Sequence, residues 1–144
     1  MDVKQFLKQI RSEQTEIELL LLKKNNIILI RALKFTADKV QASSDKDLSD
    51  YAIKNGALLN ALDKKINEFH KNQLIAYDLI NSLENDNQRK MMLMYYLTRK
   101  DTGRELTRPY SLEEVADELN YSSSYIRHLH GSALEALRKK APAS

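Results

Sequence analysis

Cysteine is absent from the 144-residue sequence, which excludes a disulfide framework and any thiolate metal site. Glycine occurs only three times and proline twice, too rarely for the many turns of an all-β chain. With 42% apolar and 30% charged residues, the composition predicts an all-α fold. Long hydrophobic runs are missing as well. The longest, Ile17 to Leu22 and Ile27 to Leu33, are interrupted by Lys23 and Lys24 and are too short to span a bilayer. The opening stretch from Met1 to Ile10 is polar and amphipathic rather than signal-like, so a soluble, cytoplasmic protein is expected.

Catalytic equipment is equally scarce. No glycine-rich loop leads into a helix, and no serine sits in a nucleophile-elbow pattern. Of the three histidines, His128 and His130 are two apart on one helix and point in different directions, while His70 lies far away. Neither an enzyme nor a bound metal or cofactor is expected.

The most organised stretch runs from Ser111 to Arg138. Ser111 followed by Glu114 forms a capping box, in which hydroxyl and carboxylate satisfy free backbone NH groups at a helix start. Leu112, Val115, Ala116 and Leu119 then share one helical face, opposite Glu113, Asp117 and Glu118. Asn120 follows where the chain must turn with positive φ, which Asn tolerates well. Ser122 can cap a second helix whose Ile126, Leu129, Ala133, Leu134 and Leu137 face back toward the first. The result is a helix-turn-helix, with Tyr121 in the turn as a structural plug.

The other face of that second helix carries Ser124, Arg127, His128 and Gly131, with Ser123 beside them. Short hydroxyls, a guanidinium fork, an imidazole and a glycine allowing close approach suit the reading of base edges in a DNA major groove. An ordinary solvated face is the bland alternative, against which the capped preceding helix and the turn weigh. Net charge is only +3. From Ser122 onward, however, Arg127, Arg138, Lys139 and Lys140 face the single acid Glu135. Upstream, Arg99, Lys100, Arg104 and Arg108 in the link from Thr98 to Tyr110 suit either phosphate contacts or an ordinary solvated loop. Arg138 likewise suits either the negative end of its helix or a phosphate.

Across Ser111 to Arg138 the sequence resembles the region-4 helix-turn-helix of bacterial sigma factors. The segment LENDNQRKMMLMYYL, from Leu83 to Leu97, resembles the helix preceding that motif, through Arg89, Met91, Met92, Met94 and Tyr96. Leu93 and Tyr95 depart from the sigma pattern, being apolar where polar residues are usual, so this helix is expected to pack on further protein surface. The stretch YSSSYIRHLHGSAL joined to a long helical amino-terminal half is similar to small phage regulators of late transcription of the ArpU and RinA type. That resemblance implies a phage or prophage late-gene activator in a bacterial cell. It adds host RNA polymerase as a partner, by analogy alone.

The amino-terminal half predicts two long helices. From Asp2 to Val40 an apolar stripe of Val3, Leu7, Ile10, Ile17, Leu21, Ile28, Ala32 and Phe35 predicts a first helix, either continuous or kinked at Asn25 and Asn26. Residues 42–47 form a connector in which Ser44 can cap the next helix. In that helix Leu48, Ala52, Asn55, Leu59, Leu62, Ile66, Phe69, Gln73, Ala76, Ile80 and Leu83 alternate four- and three-residue steps, the spacing of a coiled-coil seam. A helix about 60 Å long cannot stand alone at a rise of ~1.5 Å per residue. Its partner is the first helix folded back as a hairpin, the same helix of a second subunit, or both, and both is the favoured reading. Asn55 and Gln73 either fix register in this seam or lie at an exposed edge.

With a fresh cap at Asn85 and Gln88, the domain boundary is expected between residues 84 and 85, separating a dimerisation segment, 1–84, from a DNA-binding domain, 85–144. Double-stranded DNA and a second copy of the chain are the expected partners. Two other readings use the same elements: a DNA-packaging protein like a phage terminase small subunit, or a polymerase-binding module that does not touch DNA.

Overall fold

The computed structural model describes residues 2–40 and 45–140, with side chains described for residues 2–28 and 56–140. Helix α1 spans Val3–Val40 and α2 spans Asp45–Asn81. Helix α3, Asp86–Met92, runs directly into a wide π-helical turn, Leu93–Leu97. Strands β1, Arg99–Lys100, and β2, Arg108–Pro109, pair antiparallel, and α4, Leu112–Leu119, and α5, Ser123–Lys140, complete the chain. The expected all-helical architecture holds, apart from two residue pairs of β ladder in the link before α4. Sequence patterning gave no sign of these strands, because a two-residue strand is too short to show alternation.

Helix α1 passes through Asn25 and Asn26 without interruption. Of the connector expected at residues 42–47, residues 45–47 already belong to α2, while residues 42–44, with the Ser44 cap, and the side chains of Asn55, Ala32 and Phe35 lie outside the described residues. None of the described helices is long and apolar enough to cross a membrane.

Two compact units divide the chain: Met1–Glu16 with Phe69–Ser144, and Ile17–Glu68. In the second unit, Ile17, Leu62 and Ile66 are buried, and Lys24 forms an ion pair with Asp63 at 2.6 Å. Here the α1 stripe differs from expectation. Leu21 and Ile28 are 38% and 47% exposed, and the less exposed positions are Ile17, Glu18, Leu20, Leu22, Lys24 and Ile27. Leucines at 19 through 22 make both faces apolar, so hydrophobicity alone cannot choose between the two stripes.

The first unit holds the larger core. Leu7 and Ile10 of α1 join Ala76 and Ile80 of α2, Leu83 just beyond it, Met91 and Met92 of α3, Tyr96, and the inner faces of α4 and α5. In this unit the α2 seam is buried at Phe69, Ala76, Ile80 and Leu83, with Gln73 partly exposed. Asn85 caps α3, its side chain accepting from the Gln88 amide at 3.1 Å. The start of α1 and the end of α2 both belong to this unit.

The reason lies in the wide turn at Leu93–Leu97. A helix end leaves carbonyl groups without partners along the helix, and buried carbonyls must find others. Thr98 Oγ1 donates to the Leu93 carbonyl at 3.0 Å. Arg11 donates through Nε to the Tyr95 carbonyl at 3.2 Å and through a terminal nitrogen to the Tyr110 carbonyl at 2.6 Å. The buried Gln14 amide donates to the Tyr96 carbonyl. The Arg11 guanidinium also lies 4.4 Å from the centre of the Tyr95 ring, a cation–π contact. Leu93 and Tyr95 are thus partly buried against the core, as their apolar character requires. Arg11→Met keeps the aliphatic stem but leaves two carbonyls without their charged donor. It is expected to destabilise the protein by about 2 kcal/mol in urea unfolding.

Candidate nucleic-acid interface

The helix-turn-helix is set by its caps. Ser111 Oγ accepts from the Glu114 amide and Glu114 Oε1 accepts from the Ser111 amide, both at 3.2 Å, the reciprocal capping box the sequence predicts. Asn120 adopts φ 59° and ψ 44°, closing α4 with a left-handed residue. The Tyr121 amide then bonds back to the Ala116 carbonyl at 2.9 Å. Ser122 Oγ accepts from the Tyr125 amide at 3.1 Å and so begins α5. Tyr121 packs on the core and donates its hydroxyl to Asn87 Oδ1 at 2.9 Å, which fastens the turn to α3.

With Ile126, Leu129, Ala133, Leu134 and Leu137 buried, α5 must present its other face outward. Ser122, Ser123, Ser124, Arg127, His128 and Gly131 are all exposed there. Arg127 reaches across to Glu113 of α4 at 3.0 Å, with both side chains largely in solvent. Such an exposed pair is worth under about 1 kcal/mol, so the guanidinium can exchange it for a stronger acceptor at little cost.

The cations of the preceding link are held differently. Arg99 turns inward, donating to Thr15 Oγ1 at 2.9 Å and to the Thr107 carbonyl at 3.0 Å. Lys100 and Arg108 both grip Glu114, at 2.5 Å and 2.6 Å. Arg108 and then Lys100 hold the Glu114 carboxyl well below the usual carboxylate range. One anion meets two cations, so this cluster keeps a net positive charge at the start of α4. Arg104 is exposed near the turn made by Gly103, whose φ is +74°. Arg138, in the last turn of α5, pairs with Asp2 at 3.3 Å and Glu135 at 3.7 Å. The residues of the α5 stripe therefore come together on one face, while Arg99, Lys100, Arg108 and Arg138 are engaged within the protein.

Arg11 and Gln14, which position this unit, were not anticipated from the sequence. Gln14 falls between Ile10 and Ile17 in the α1 stripe, and that polar break was its only signal. His130 is partly buried at the edge of the core. Its Nε2 lies 2.6 Å from the Tyr96 hydroxyl, and its ring packs against Tyr95 with centroids 5.4 Å apart. Burial raises the Tyr96 pKa above its ordinary 10.0, so the phenol keeps its proton beside His130. His70 is near Gln73 on α2, 3.3 Å away.

This arrangement is that of a helix-turn-helix DNA-binding module. Residues 81–139 match the family model Sigma-70, region 4, and this stretch is a sigma-70 region 4 domain, a DNA-binding helix-turn-helix domain. No curated protein and no solved structure matches the chain.

Two measurements check this geometry. Burial, then the charges of Lys4 and Lys8, lower the His130 pKa from 6.5, so the unfolded chain takes up this proton more readily than the folded one. Stability from this site is therefore complete above about pH 6.5, falls as pH drops through that value, and levels off below the folded-state pKa. His130→Gln is expected to flatten the melting temperature against pH below neutrality. At Gly131 a Cβ would meet nothing within 4 Å. Gly131→Ala is expected to raise stability by about 1 kcal/mol in the same unfolding assay.

Proposed function

We propose that the protein is a sequence-specific, DNA-binding transcription regulator that reads a promoter through α5. The observation that carries this reading is the exposed polar stripe of α5, held outward by the capped α4, Asn120 and the α5 start inside a sigma-70 region 4 domain. Ser123, Ser124, Arg127 and His128 meet base edges, with Arg127 leaving Glu113 for an acceptor in the groove. Ser122 caps the helix, whose first amides face phosphate. Gly131 admits the DNA surface closely. Of the link cations, Arg104 is free for phosphate, and the Glu114 cluster adds a positive field beside it.

The regulator works as a dimer. Leu19, Leu21, Ile28 and Leu58 are exposed on the unit formed by Ile17–Glu68, a concentration of bare leucine and isoleucine that suits burial against a second copy. The likeness to ArpU- and RinA-type proteins supports a role in activating phage or prophage late genes. The sigma-like domain supports contact with host RNA polymerase.

Light-scattering mass, measured with and without phage regulatory DNA at moderate salt, tests the reading. A dimer that shifts to a dimer-plus-DNA mass on the regulatory fragment, and not on a scrambled one, is the expected result. A large ring with little sequence preference would instead indicate DNA packaging, and no DNA binding would indicate a module that meets polymerase alone. In the same assay Arg127→Ala is expected to weaken specific binding by ~1 to 3 kcal/mol and leave the dimer intact. Unchanged specific affinity would remove Arg127 from the interface.

A further inference from the structure

The start of α1 lies beside α5. Asp2 pairs with Arg138 at 3.3 Å, and Arg138 follows Arg127 by eleven residues, close to three full turns, so both lie on the same side of α5. Farther along α1, Lys8 lines a cleft with Arg11, Ser12, Thr15, Tyr95 and Pro109. The Tyr95 ring in that cleft packs on His130 of α5. The first turns of α1 thus run along the flank of the helix that bears the polar stripe.

Between its two flanking acids, Asp2 and Glu16, the solvent-facing charge of this stretch is basic. Between Asp2, tied to Arg138, and Glu16, the exposed positions are Gln5, Lys8, Gln9 and Ser12, with Lys4 half-buried beside them, while the one acid in that interval, Glu13, is buried and accepts from Gln9 at 2.7 Å. Lys100, Arg108, Arg127 and Arg138 each face a carboxylate. Lys4 and Lys8 form no ion pair among the described residues. A phosphate therefore takes these ammonium groups without breaking an existing pair.

We propose that the exposed face of α1 around Lys4 and Lys8 is a second contact surface for duplex DNA, gripping the phosphate backbone next to the bases met by α5. This rests on the DNA-reading role of α5 and extends the footprint to a helix outside the sigma-70 region 4 domain. The contact is with phosphate, so it adds affinity and salt dependence without adding sequence preference.

The test uses the full chain at pH 8, where His130 is neutral and removal of the lysines does not change its charge. Binding to a random-sequence duplex of about three helical turns is measured across a salt series. For Lys4→Ala with Lys8→Ala, the slope of log affinity against log salt is expected to become shallower by about 2, at roughly 0.9 per lost phosphate contact, with affinity falling roughly tenfold or more. Lys8→Glu alone is expected to weaken binding further than Lys8→Ala, and none of these changes should alter the cooperativity of unfolding. The ratio of affinities for a selected site and the random duplex should stay constant.

An unchanged slope overturns the proposal, with or without a loss of affinity, because phosphate contacts must change the slope. If the double variant keeps its slope while Arg127→Ala loses specific affinity, the α1 surface fails and the α5 reading stands. If the unaltered protein retains no duplex at any salt, both fail together.

Discussion

The unit that contains the sigma-like domain depends on how the end of one helix is satisfied. At Leu93–Leu97 the chain leaves a helix through a wide turn that packs on the core, with Tyr96 buried. Carbonyl groups there need donors, and Arg11 and Gln14 of α1 provide them for Tyr95, Tyr96 and Tyr110. Arg11 spans the Tyr95 and Tyr110 carbonyls and lies on the Tyr95 ring. The same few residues thereby fix the link before α4 and, through Tyr95 and His130, the side of α5. A helix-turn-helix is a small module with little core of its own, and here that core is completed by Leu7, Ile10, Ala76 and Ile80 from the two long helices.

A second node organises charge. Glu114 ends its own capping box and also anchors Lys100 and Arg108, so the β pairing is drawn to the start of α4. Carboxylates suit the positive end of a helix, and two cations beside this one keep the local field positive in spite of it. The same acids that shape the module also decide which of its cations remain available. Glu113 holds Arg127 loosely in solvent, Glu114 holds Lys100 and Arg108 closely, and Lys4 and Lys8 are left without an acid.

Much of this was legible in the sequence, for reasons that can be named. Caps and turns are local, and so Ser111 with Glu114, Asn85 with Gln88, and the left-handed Asn120 all announce themselves within four residues. The seam of α2 repeats often enough to define one face, and Leu62, Ile66, Phe69, Ala76, Ile80 and Leu83 are buried along it. The stripe of α1 was less secure, because leucines at 19 through 22 leave two faces equally apolar, and an ion pair of Lys24 with Asp63 occupies the face that turns inward. Partners of long cationic side chains could not be read at all. Arg99 and Arg11 reach groups 84 or more residues away in the chain, and no local pattern encodes such a reach. Exposure of the α5 stripe was legible, since its buried face dictates it, whereas the role of α1 beside it needed the fold.

The unit that holds α5 is assembled from two distant pieces of chain, Met1–Glu16 and Phe69–Ser144. During synthesis the first piece leaves the ribosome long before its partners exist. Leu7 and Ile10 then stay bare until Met91, Tyr96 and α5 have been made, and the contacts between them have high sequence separation. Closing so long an excursion costs entropy that grows only slowly with its length, and local pairing of the two long helices can shorten the search by bringing its ends together. A nascent chain stopped before α5 would therefore carry a sticky start to α1, so the order in which these elements are made matters to how cleanly they fold.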